Sequence, residues 1–229
     1  SMVPVAIAVS NALDRGGIGG PGQWPDGVVT ALFTIALFVM DDITRYGLHR
    51  ALHRVPALWA LHRVHHSAEV LTPITVYRMH PLESGLYSLR MVLTQGLVVG
   101  VFFHCFGMRL SAWEVAGANL FTYGFNLAGA NLRHSHVWLS WGPWLERLVI
   151  SPAQHQIHHS DDPAHFDRNF GSFLAIWDGL FGSLVLAKGQ TVTGFGLGRG
   201  CRPFRGPAAA WWRPLRDSVR ALRGRRAHE

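Results

Sequence analysis

The stretch HRVHH, from His62 to His66, decides how this chain is read, because the pattern returns 93 residues later as HQIHH, from His155 to His159. With 14 histidines in 229 residues, a given histidine begins such a pattern by chance with probability on the order of 0.4%. On an α-helix, positions i, i+3 and i+4 share one face, so each stretch turns three imidazoles toward one point. His49 and His53 form a further cluster at i, i+4 spacing. Imidazoles held a few ångströms apart repel when protonated and need partners when neutral and buried. A metal ion takes their lone pairs, and neutral imidazole suits Zn, Cu, Fe and Ni. Tetrahedral zinc takes four ligands, so the eight nitrogens of His49, His53, His62, His65, His66, His155, His158 and His159 fit two metals.

His80 in YRMHPLE and His134 and His136 in NLRHSHVWL stand near the ends of apolar blocks. His80 and His134 are therefore candidate further ligands, with a role one layer behind the metals as the alternative. His136 is a weaker candidate, His104 beside Cys105 reads as structural, and His165 and His228 read as solvent-facing. A carboxylate normally fixes a ligating imidazole by accepting its other ring N–H. Asp42, Glu69, Glu83, Asp161 and Asp178 are available for that role, each with an ordinary polar contact or helix cap as the competing reading.

The chain is 48% hydrophobic and 15% charged, and the apolar residues come in blocks. VVTALFTIALFVM (28–40) predicts a helix that continues to His53 and leaves the bilayer near Asp41 and Asp42. Blocks 91–108 and 113–130 are each about one bilayer long and joined at Arg109-Leu110-Ser111, which predicts a helical hairpin. Trp138, Trp141 and Trp144 suit an interfacial belt. The expected fold is an all-α integral membrane bundle with a cytoplasmic, histidine-rich metal-binding cap; a buried soluble hairpin is the alternative. Residues 1–27 read as an N-terminal loop, 28–190 as the membrane domain and 191–229 as a basic tail. Ser1 ahead of Met2 reads as a cleavage remnant, and no basic stretch precedes an apolar run as in a signal peptide.

Cys105 and Cys201 support neither a disulfide framework nor a CxxC metal site. Nine arginines against one acid, Asp217, lie between Arg199 and Arg226. Beside apolar spans, such a segment reads as the cytoplasmic side of a membrane protein. No aromatic-interleaved platform or helix-turn-helix supports nucleic acid as the partner. Arginine outnumbers lysine 20 to 1 (the lysine is Lys188), which hints at a GC-rich bacterial genome and hence an inner membrane.

DDITRYGLHRALH, WALHRVHHSAEVLTPITVYRMHPLE, HSHVWL and SPAQHQIHHSDDPAHFDRNFGSFLAIWDGLFGSL, in this order, resemble the fatty acid hydroxylase/sterol desaturase superfamily of integral membrane di-iron enzymes. The resemblance implies that the eight clustered histidines ligate two iron ions, with His80 and His134 where members have further histidines. Zinc is able to replace the iron in purified protein. It implies O2-dependent hydroxylation or desaturation of a C–H bond in a lipid or other hydrophobic substrate such as a sterol, hopanoid, carotenoid, fatty acyl chain or polar lipid. Hydroxylation is preferred here, with no protein acid, base or nucleophile in the C–H step. No cytochrome b5-like domain, flavin or iron–sulfur motif accompanies the histidines, so the electron donor is expected to be a separate protein. Phe102, Phe121, Tyr123 and Phe125 are candidates to line a substrate track, with core or lipid-facing packing as the plainer reading.

Two other classes compete. A zinc-dependent membrane hydrolase would use the same histidines with Glu69 as general base, but eight ligands over-supply it. A non-catalytic haem protein would pair histidines axially, which adjacent His65 and His66 cannot do for one position.

Overall fold

The computed structural model describes residues 1–18, 20, 24–107, 112–198, 201 and 204–224. Among the described residues the chain is helical, with only isolated bridges at Val149–Leu174 and Ser160–Phe195. In order the α-helices are α1 (Val3–Arg15), α2 (Asp26–Arg54), α3 (Pro56–His66), α4 (Pro81–Phe106), α5 (Ala112–Arg133), α6 (Gly142–Leu145), α7 (Pro152–His158), α8 (Ile176–Leu180) and α9 (Pro207–Leu222). Two compact units divide the chain: Ser1–Arg45 with Tyr87–Asn126, and Tyr46–Leu86 with the chain from Leu127 onward.

Helices α2 and α4, most of whose residues fall in the first unit, are long and apolar enough to cross a membrane, with mean hydropathies of 1.7 and 1.6 over their apolar windows. Only 28% and 22% of those windows is buried, whereas the core helix of a soluble protein hides its apolar surface. Phe33, Leu37, Val98 and Ala118 form the packed core. Phe102 stands edge-on to Phe33 at 5.4 Å and packs, half-buried, against this core, and Tyr123 is exposed. The side chains of Phe121 and Phe125, and the joint Arg109-Leu110-Ser111, lie outside the described residues.

Charge in an apolar helix is costly unless paired. Asp41 meets Arg45 at 3.1 Å and Arg90 at 2.8 Å, and Arg90 also donates to Thr44 Oγ1 at 2.8 Å. The segment before residue 28, expected to be a loop, contains α1 instead. Its docking explains two glycines: a Cβ on Gly96 would lie 2.5 Å from Val5 Cβ, and one on Gly100 2.6 Å from the Ala6 carbonyl oxygen.

The second unit holds the histidine-rich helices. Pro56 opens α3 after extended Val55, where its missing N–H costs nothing. Ser151 caps α7 in a reciprocal capping box with Gln154, and Pro152 again occupies the first turn. Buried Glu146 holds this start, accepting from Ser151 Oγ at 2.9 Å and from the Ala187 amide at 2.8 Å. The basic segment, expected to be a tail, carries α9, which packs against α3.

Candidate metal centre

All of the site lies in the second unit. One group brings together His49, His53, His62, His66 and His158, and a second group His65, His134, His155 and His159. Within each group the ligand atoms lie within 4.8 Å of one another. The groups are adjacent, for His66 stacks on His159 with ring centroids 4.3 Å apart. The helical pitch accounts for the sorting. On α3, His62 and His66 turn to the first group and His65 to the second; on α7 and its C-cap, His158 turns to the first and His155 and His159 to the second.

Outer contacts fix several rings of the first group. His49 Nδ1 donates to the Phe170 carbonyl at 2.8 Å, His158 Nδ1 to the Arg168 carbonyl at 2.7 Å, and His62 Nδ1 to Glu83 Oε1 at 2.7 Å. His53 Nδ1 lies 3.8 Å from Asp167. Nδ1 thus faces the protein, and Nε2 of His53, His62, His66 and His158 is buried without a hydrogen-bond partner among the described residues. Buried nitrogens are normally satisfied, so four such orphans aimed together call for a group that takes lone pairs.

The second group makes the case by proton arithmetic. His134 Nε2 lies 3.2 Å from His65 Nε2 and 3.0 Å from His155 Nε2. An imidazole nitrogen carries one proton or one lone pair, so His134 Nε2 cannot satisfy both neighbours. Two nitrogens each about 2.1 Å from one ion lie about 3.0–3.4 Å apart, which these spacings match.

The electrostatics agree. Burial pushes the His158 imidazole down to about 3, against the hydrogen bond to the Arg168 carbonyl. Burial, and then neighbouring imidazoles, hold His65, His66, His155 and His159 well below the usual imidazole range. These five rings are therefore neutral at pH 7, the form that ligates a cation.

The other expected positions divide. His134 joins the second group, whereas His80 does not belong to either: its Nε2 lies 3.1 Å from the Trp211 carbonyl and its Nδ1 accepts the Leu82 amide at 3.2 Å. Both nitrogens are used, and no lone pair is left for a metal. Glu83 stands directly behind His62, and Asp178 one step further back, accepting the Phe170 and Gly171 amides at 2.8 and 2.7 Å. Burial raises the Asp178 carboxyl against those hydrogen bonds. Glu69 is exposed, and Asp161 packs against Gly194. Asp42 is buried on α2 in the first unit. His165, expected to face solvent, is buried with Nε2 3.1 Å from Gln190 Oε1; His136 is exposed, and His228 lies outside the described residues.

Residue types alone did not reveal the segment 167–170. Asp167 and Asn169 have φ of 59° and 53°, the left-handed region that Asn and Asp tolerate best. The carbonyls between and after them, on Arg168 and Phe170, hold His158 and His49. Asn169 pins the turn, donating to the Gln154 and Val185 carbonyls at 3.1 and 3.0 Å and accepting the Val185 amide at 2.8 Å. Its only sequence signal is Asp and Asn two residues apart in a loop.

A cavity of about 830 Å³ reaches His53, His66 and His158. Trp59, Phe166, Leu197 and Phe204 supply its apolar wall.

The profile of the fatty acid hydroxylase family matches residues 34–183. Alkylglycerol monooxygenase of Danio rerio is 28% identical over 157 residues, covering 69% of this chain and 31% of that protein. The Delta(7)-sterol 5(6)-desaturase of Eremothecium gossypii is 30% identical over 153 residues, covering 67% and 37%. Ornithine lipid hydroxylase OlsE of Rhizobium tropici is 29% identical over 174 residues, covering 76% and 48%. The matched region thus spans about a third to a half of these curated relatives. No solved structure matches the chain.

Proposed function

The chain belongs to the fatty acid hydroxylase family, and from that premise we propose that it is an O2-dependent membrane oxygenase hydroxylating a C–H bond of a lipid. The observation that carries the reading is the pair of adjacent imidazole groups, five and four strong, with Nε2 of His53, His62, His66 and His158 buried without a partner among the described residues. His49, His53, His62, His66 and His158 would hold one iron, and His65, His134, His155 and His159 the other. When bound, iron supplies O2-dependent oxidation of an unactivated C–H bond, with electrons from a separate donor protein.

The chain's own residues supply the rest. Glu83 and the carbonyls of Arg168 and Phe170 fix the rings with Nε2 inward, which pre-orients the ligands. Trp59, Phe166 and Phe204 give an alkyl chain a dry wall beside the first group. No side-chain base is needed, which fits the exposure of Glu69; a hydrolase built on that carboxylate has no support from its position. The apolar α2 and α4 support a membrane location. The arginines after residue 198 support placing the site on the cytoplasmic face of a bacterial inner membrane.

The test is incubation of iron-loaded protein with a lipid extract, a reductant and 18O2. Hydroxylation gives a lipid product with one 18O atom. Desaturation gives loss of two hydrogens without label. No O2-dependent product from protein with full iron would overturn the reading.

A further inference from the structure

The cavity that reaches the first histidine group is not apolar throughout. Arg63, Arg213 and Arg216 line it, against the carboxylates of Asp167 and Asp217. Asp167 is engaged by Arg54 at 3.3 Å. Asp217 is shared among three guanidinium groups: it pairs with Arg63, lies 3.6 Å from Arg216 Nε and 3.9 Å from Arg220 Nη1. One carboxylate among three arginines leaves positive charge in excess at this end of the cavity among the described residues. Arg63 and Arg213 both stand over the Phe204 ring, at 5.6 and 5.2 Å, so the cations meet the apolar wall at this ring. Arg63 Nε is buried without an acceptor among the described residues.

We propose that this cavity takes an amphiphile with an anionic head group, phosphate or carboxylate, held by Arg63, Arg213 and Arg216, its alkyl chain running along Phe204, Phe166 and Trp59 toward His53, His66 and His158. Planar guanidinium forks suit such oxygens in bidentate fashion. The inference rests on the proposed function in taking the cavity as the approach to the metal group, and it narrows the substrate to anionic lipids. Head-group binding at the arginines would also set which carbon of the chain reaches the histidines.

The experiment is equilibrium binding to the full-length protein in neutral detergent, with dodecyl phosphate, 1-O-dodecylglycerol and inorganic phosphate as probes. Metal content is measured on the same samples. Dodecyl phosphate is expected to bind at least about tenfold more tightly than dodecylglycerol, with a preference that shrinks as salt rises. Arg213→Gln and Arg216→Gln should each reduce that preference severalfold at unchanged metal content, and Arg216→Lys should restore part of it. Equal binding of the charged and neutral lipids overturns the proposal, as does a preference unmoved in both glutamine variants. Inorganic phosphate binding as tightly as dodecyl phosphate also overturns it, since the alkyl wall would then contribute nothing. Because binding and metal content are read separately, a head-group preference in protein that takes up no iron even on reconstitution with Fe(II) would sink the oxygenase reading and spare this one.

Discussion

Glu83 Oε1 accepts from His62 Nδ1 at 2.7 Å, with both side chains almost wholly buried. Helix α4 begins at Pro81, so its first turn delivers a carboxylate to the back of an imidazole on α3. This contact sets the His62 tautomer, and Nε2 is left for the metal. Glu83→Ala should weaken metal binding in the first group by about 10- to 100-fold, while Glu83→Gln keeps most of the affinity because an amide oxygen also accepts. Chelator titration followed by metal analysis reads the effect; unchanged resistance in Glu83→Ala would remove the carboxylate from its role.

His134 and His80 separate what the sequence treats alike. His134→Ala should lower the metal content from about two ions per chain to about one, since it takes one of the four imidazoles from the second group. His80→Ala should retain both ions. Loss of metal in the His80 variant and not in the His134 variant would reverse the assignment.

Asn169→Ala removes three side-chain hydrogen bonds from a buried turn at φ 53°. Lost hydrogen bonds and left-handed strain together cost about 2–4 kcal/mol. The expected result is a lower unfolding temperature and faster metal loss from the first group, because the Arg168 and Phe170 carbonyls lose their support. An unfolding temperature within a degree of the parent would contradict it.

Gly100→Val tests the first unit alone. A side chain there meets Ala6 backbone and Val9, and overpacking of this kind costs about 1–3 kcal/mol. Proteolysis should release α1 more readily while the metal content stays at its parent value. Metal loss in step with α1 release would show that the two units are not energetically separate.

The eight clustered histidines were legible because i, i+3, i+4 spacing needs only a helix to become a shared face, and α2, α3 and α7 supply it. The division into five and four was not, since adjacent residues such as His65 and His66 point to different groups. His134 and His80 looked equivalent because both end apolar blocks; only the backbone around His80, with its Leu82 and Trp211 contacts, tells them apart. Glu83 stood among five carboxylates that local pattern ranks equally. Two of the anchoring acceptors are carbonyls, on Arg168 and Phe170, which carry no residue-type signal. Helix α1 was missed because its apolar stretch is short, and its docking depends on glycines in a helix about 90 residues further along the chain.

The proposed function requires the imidazoles to form two metal sites in one chain. Metal analysis of protein purified from iron-supplemented cells tests it most directly, alongside His62→Ala and His155→Ala. About two irons per chain are expected in the parent and about one in each variant, with the remaining ion in the opposite group. If zinc has loaded instead, the same stoichiometry should return on reconstitution with Fe(II), together with O2 consumption. One metal or none in the parent, with the variants unchanged, would contradict it.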